Sequence, residues 1–220
     1  MSGFFVRSKI FEPNFSEQKT VDVLRAETGT VSGFWTNQDQ HVLGIFFYRL
    51  PSQQLLASAV DLKCICGLNF QSLNETDGPR PFFTHEYARI VVEQLTIDTL
   101  LIAGFPLSPE AATCLGTSTI LRELRLSRCL LTDDHLVGLS KCKSLSKLTL
   151  TSSVDLRKKA NLTAGGLLEM ISSMSLELLL LTQDEFTAPE RRLIAERAKE
   201  HNCKVGFYSI NRGPDSIKYA

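Results

Sequence analysis

The sequence has no excess charge of either sign: 24 Lys and Arg stand against 24 Asp and Glu. It therefore has no long-range attraction for phosphate backbones or acidic membranes, which argues against nonspecific nucleic-acid binding. It also lacks an apolar run of the roughly 18 residues that a membrane span requires, its longest candidates being cut by Arg49, Lys63 or Glu177. The segment Met1 to Asn14 has no apolar signal-peptide core and carries Glu12, which a mitochondrial presequence disfavours. A cytoplasmic or nuclear location is the expectation. Catalytic signatures are missing as well. His41, His85, His135 and His201 are dispersed, and no H-E-x-x-H, G-x-S-x-G or P-loop pattern occurs. We expect no enzyme, no cofactor and no metal site.

Six cysteines could in principle pair, but in a chain of this length without a signal they are expected to be reduced and buried. Cys64-x-Cys66 offers too few ligands for structural zinc. The sequons at Asn14, Asn74 and Asn161 matter only on a secreted chain. With 43% hydrophobic and 22% charged residues, the composition is that of an ordered globular protein.

What is abundant is leucine at regular intervals. The pattern L-x-x-L-x-L recurs as Ile97/Leu100/Ile102, Leu121/Leu124/Leu126 and Leu145/Leu148/Leu150, at spacings of 24. Flanking copies at Ile65/Leu68/Phe70 and Leu176/Leu179/Leu181 are offset by 32 and 31. A second periodicity lies between the triplets, where a hydroxyl recurs as Thr84, Ser108, Thr132, Thr163 and Thr187. Such a residue suits a helix start, since its oxygen accepts from an unpaired amide of the first turn. Pro109-Glu110 and Asp133-Asp134 follow two of these positions, a first-turn proline and carboxylates that oppose the helix dipole. The same logic reads Thr132-Asp-Asp-His135 as a helix start rather than a metal motif, and Gly165-Gly166 as a loosened first turn. Pairs such as Ala112 and Leu115, or Leu136 and Leu139, place apolar residues on one helix face.

Each unit therefore reads as strand, turn and amphipathic helix, unable to bury its triplet unless neighbours stack. Here the chain resembles the leucine-rich-repeat family. The segment Leu121-Arg-Glu-Leu-Arg-Leu-Ser-Arg-Cys129-Leu-Leu-Thr132-Asp-Asp-His-Leu136 is similar to its cysteine-containing variety, which also occurs in F-box proteins. The resemblance covers about residues 65–210 and implies an α/β leucine-rich-repeat solenoid with a parallel sheet on the concave face and helices on the convex face. The Asn/Cys slot departs from the pattern, being Phe105, Ser153 and Asp184 in other units. Asn202 to Ile210, with Val205 and Phe207 alternating, reads as a terminal capping strand, and residues 211–220 as a tail.

Residues 1–40 form an N-terminal cap region, with a helix over Ser16–Glu27 and a strand over Val31–Trp35. Residues 41–64 admit two readings. As a first repeat they place Val42, Ile45 and Phe47 on a strand and Ser52 at a helix start. Alternatively, Val42 to Val60 is similar to a degenerate F-box, a helical motif that docks on the Skp adaptor of a ubiquitin ligase.

Strand residues outside the triplets point to the concave face in such a stack. Glu123, Arg125, Arg128, Lys147 and Thr149 are the candidate contacts there, a small basic patch suited to an acidic or phosphorylated protein segment. Both departures from the period fall between strand and helix, at residues 70–84 and 150–163, so the two inserted loops are expected on one rim. The second supplies Arg157, Lys158 and Lys159 as further candidates. The expected function is a non-enzymatic protein-interaction module; the resemblance adds substrate recognition for an SCF-type ubiquitin ligase. The alternative is a plain scaffold or a mitochondrial assembly factor, since Val154 to Leu162, followed by Leu176-Glu-Leu178, is loosely similar to the family of ATP synthase subunit s.

Overall fold

Parallel neighbours need a crossover, and a 24-residue period leaves room for one short helix between strands. The computed structural model describes residues 13, 15–28, 31–72, 81–151, 161–209 and 218–219. Helix α1 (Phe15–Thr28) and strand β1 (Val31–Thr36) come first. Seven parallel strands follow in chain order: β2 (Val42–Phe47), β3 (Gly67–Gln71), β4 (Thr99–Ala103), β5 (Glu123–Ser127), β6 (Lys147–Thr151), β7 (Leu178–Thr182) and β8 (Lys204–Tyr208). The crossovers carry α2 (Gln53–Ser58), α3 (His85–Arg89), α4 (Pro109–Leu115), α5 (Asp133–Leu139), α6 (Ala164–Ser173) and α7 (Ala188–Glu200). β1 and β9 (Lys218–Tyr219) add antiparallel edges, giving nine strands among the described residues. Right-handed crossovers between successive parallel strands put the connecting helices on one side of the sheet.

The repeated leucines define the register. Ile45, Leu68, Leu100, Leu124, Leu148, Leu179 and Val205 form one row across β2 to β8; Phe47, Phe70, Ile102, Leu126, Leu150, Leu181 and Phe207 form a second. None of them is more than 6% exposed. At roughly 1.5–3 kcal/mol for each fully buried large apolar side chain, these rows are the main adhesive between units. Phe47 stacks on Phe70 at 5.1 Å, and Phe83 meets Phe70 edge-on at 5.4 Å.

The helix starts follow the hydroxyl periodicity, with two exceptions. Ser52, Ser108 and Thr163 accept from Leu55, Ala111 and Gly166 N–H at 3.2, 3.1 and 3.0 Å. Thr187 forms a capping box with Glu190, whose carboxylate takes the Thr187 N–H at 2.8 Å. Thr84 makes no side-chain cap bond. At Thr132 a histidine does the work: His135 Nδ1 accepts the Thr132 N–H at 3.0 Å. Its Nε2 must then carry the proton, which it donates to the Leu107 carbonyl of the preceding unit at 2.8 Å.

Cys129 occupies its slot as a buried donor, its thiol 3.2 Å from the Ile102 carbonyl. Burial pushes that thiol up to about 12. Phe105 fills the corresponding place one unit earlier, 2% exposed, whereas Asp184 is exposed and Ser153 lies outside the described residues. All six cysteines are unpaired; four are buried, and Cys64 and Cys66 are partly exposed.

Three expectations are corrected. Val42–Phe47 is a strand, not the helix a Skp-docking motif needs; Val42, Ile45 and Phe47 are all fully buried. Residues 211–220 are not simply a tail, because Lys218 and Tyr219 pair with Phe207 and Gly206 and shield backbone groups on the outer edge of β8. Gly166 is more than a loosened turn. A Cβ there would lie 2.4 Å from Asp133 Oδ1, so glycine makes room for a carboxylate from the preceding unit.

Candidate protein-binding face

Period-two alternation sends every second strand residue to the face opposite the core. Across β2 to β7 the middle row there reads Phe46, Asn69, Leu101, Arg125, Thr149, Leu180. Phe46, Leu101, Arg125, Thr149 and Leu180 are partly exposed, unlike the core rows one residue away. The row two residues earlier contains Gly67, Thr99, Glu123, Lys147, Leu178 and Lys204.

Four of the expected residues come together on this face. Glu123 and Lys147 are direct cross-strand neighbours, as are Arg125 and Thr149. Arg125 Nε donates to Glu123 Oε1 at 2.6 Å, which pairs the buried carboxylate and fixes the guanidinium. Lys147 and Lys204 are exposed. Charged side chains on the face of β3 to β8 are thus Glu123 against Arg125, Lys147 and Lys204, a net positive set.

Arg128 takes a different course. It follows β5 in the left-handed backbone region, φ 56°, the position that Gly104 occupies after β4 at φ 77°. Its guanidinium extends away from Lys147, over Gly104 to the Ser72 carbonyl at 3.5 Å. Arg157, Lys158 and Lys159 lie outside the described residues, as does most of the earlier inserted loop. The two segments leave the sheet on the same side, after Ser72 and after Thr151, each at the C-terminal end of its strand.

Sequence reasoning missed the aromatic end of this face. Trp35 pairs with Gly44, and its indole lies across Gly44 and Gly67 on two adjacent strands. A Cβ at Gly44 would sit 1.8 Å from the ring, and one at Gly67 2.6 Å. Further along β2 and just past its end, Phe46 and Tyr48 meet edge to face at 5.9 Å. Asn69, 5% exposed, lies between Phe46 and Leu101, and its Oδ1 is buried with no hydrogen-bond partner. The available signal was Gly44 and Gly67 each two residues before an outward position, with an aromatic strand preceding them.

Among the described residues, no group of three or more His, Cys, Asp or Glu could hold a metal ion, and no helix is long and apolar enough to cross a membrane. These features define an α/β protein with a largely parallel sheet, one face buried under helices and the other bearing a mixed aromatic and basic surface. No protein-family model matches the chain, and no curated protein matches it either.

Proposed function

We propose that the chain is a leucine-rich-repeat solenoid and a non-enzymatic module that binds another protein through the outward face of its strands. The observation that carries this reading is the unbroken register from Ile45 to Val205, which leaves a second row of partly exposed, chemically varied side chains along the other face. A face of this kind is rigid because every strand is held by both neighbours, so recognition requires little ordering of the binder itself. Arg125, Lys147 and Thr149 are the contacts we assign, with Glu123 positioning Arg125.

A role in ubiquitin ligation would rest on the cysteine-type likeness at Leu121 to Leu136 and on the F-box likeness of Val42 to Val60, of which Val42–Phe47 form β2 and Gln53–Ser58 form α2. The assembly-factor alternative draws on Val154 to Leu162 and Leu176 to Leu178, of which residues 154–160 lie outside the described residues.

The test places a photo-crosslinking amino acid at Thr149, on the strand face, or at Val137, exposed on α5. Capture from Thr149 but not Val137, of a protein that also binds the purified chain and is released by Lys147→Glu, is the expected result. Capture only from Val137 would refute the strand face as the binding surface.

A further inference from the structure

Most buried polar groups in a fold have a partner, and an exception calls for a reason. Asn69 is such an exception. Its side chain points to the open face from β3, is 95% enclosed by its surroundings (5% exposed), and has an oxygen that receives no hydrogen bond. Leucine at this position would fill similar space without an orphaned acceptor, so the present residue is costly to the isolated fold. Around it lie partly exposed apolar groups: Trp35 over Gly67, Phe46 on β2 and Leu101 on β4.

We infer that this aromatic cup, with Asn69 at its base, is the anchor point for an extended acidic segment of a partner protein. The inference rests on the strand-face reading above and makes it specific. A carboxamide can accept one N–H and donate to one C=O, which matches a single peptide unit of an extended chain. The flanking aromatic and leucine side chains suit an apolar side chain next to that peptide unit.

Charge selects the rest of the occupant. Beyond the cup the face is net positive, with Lys147 and Lys204 exposed and Glu123 already held by Arg125. Lys147 is three strands from Asn69, a separation of roughly 14 Å at about 4.8 Å per strand. An extended chain covers that in about four residues at roughly 3.3 Å each. The segment we assign therefore has a leucine or tyrosine seated in the cup and a carboxylate or phosphate about four positions away.

The chain contains a single tryptophan, and it forms one wall of the cup, so its fluorescence reports occupancy. The probes are synthetic twelve-residue peptides without tryptophan. One set has a leucine or tyrosine followed four residues later by paired aspartates; a matched set has lysines in their place. With the full chain, the acidic set should give a saturable change in Trp35 emission. Asn69→Leu should weaken binding by about tenfold or more while its Tm stays at or above the unsubstituted value, which separates lost recognition from lost folding. Lys147→Glu should abolish the preference for acidic over lysine peptides.

Equal binding by Asn69→Leu, or no saturable emission change with any peptide, would overturn the inference. So would a concentration-dependent emission change accompanied by dimer formation in light scattering, because the occupant would then be a second copy. A partner trapped from Thr149 whose binding survives Asn69→Leu would defeat the anchor and leave the strand-face reading intact; no capture from Thr149 defeats that reading itself.

Discussion

The Asp133 carboxylate holds Thr163 by both of its local donors, the main-chain N–H at 2.9 Å and the hydroxyl at 2.6 Å. The hydroxyl oxygen in turn accepts from Gly166 N–H, so the first turn of α5 is joined to the start of α6 across successive units. A carboxylate that sequence reasoning assigns to the dipole of its own helix serves the next helix instead.

Replacing Asp133 by alanine should cost about 1–2 kcal/mol, measured by urea unfolding, because a charge-assisted pair of bonds is lost at a partly exposed site. Gly166→Ala should cost a similar amount by displacing the same carboxylate, since the added Cβ meets Asp133 Oδ1 at 2.4 Å. In an Asp133→Ala background that second cost should disappear. Gly165→Ala, whose Cβ would meet only Thr163 Oγ1 at 3.5 Å, should be neutral or mildly stabilising.

His135 is 3% exposed and satisfies the Thr132 N–H on one side and the Leu107 carbonyl on the other. His135→Phe keeps the bulk but abandons both groups, and we expect a loss of about 2–4 kcal/mol in chemical denaturation. His135→Asn, with an acceptor and a donor on a shorter side chain, should recover part of it. If the phenylalanine variant is as stable as the parent, the bridging role is wrong.

Glu190 provides a pH-dependent contribution of known sign. Hydrogen bonds from the Thr187 hydroxyl and then its backbone N–H hold the carboxyl below its ordinary value of 4.5. A depressed native value means that the stabilisation is complete above the unfolded value and fades as pH falls through the folded one. The stability difference between the parent and Glu190→Ala should therefore be constant near neutrality and shrink below about pH 4.5. A difference that grew in acid would contradict the capping box.

The indole of Trp35 lies where a Cβ on Gly44 would be, so Gly44→Ala should expel it. The expected readout is red-shifted emission with greater acrylamide quenching, together with reduced stability. Gly33→Ala on the neighbouring strand, where nothing lies within 4 Å of the added carbon, should leave the emission unchanged.

Strand positions were legible from the chain because the apolar spacing is strict. A leucine that repeats every 24 residues falls in the same place on each unit, and Leu100, Leu124 and Leu148 are indeed direct neighbours on adjacent parallel strands. Four of the eight proposed contact residues were likewise legible, since alternation alone puts Glu123, Arg125, Lys147 and Thr149 outward. Arg128 was not, because its direction depends on a left-handed backbone angle just past the strand, which alternation does not encode.

The amino-acid order by itself determined which residues face the core and where most helices begin, since both depend on chemistry repeated at short, fixed intervals. The partners reached across those intervals were decided only by tertiary structure: Asp133 with Thr163, His135 with Leu107, and Trp35 over Gly44 and Gly67. Such contacts depend on side-chain direction and on distances of a few ångströms between units, and a short-range apolar pattern is indifferent to both. The unpaired Asn69 oxygen belongs with them, because a polar group is left without a donor only by what the fold places around it.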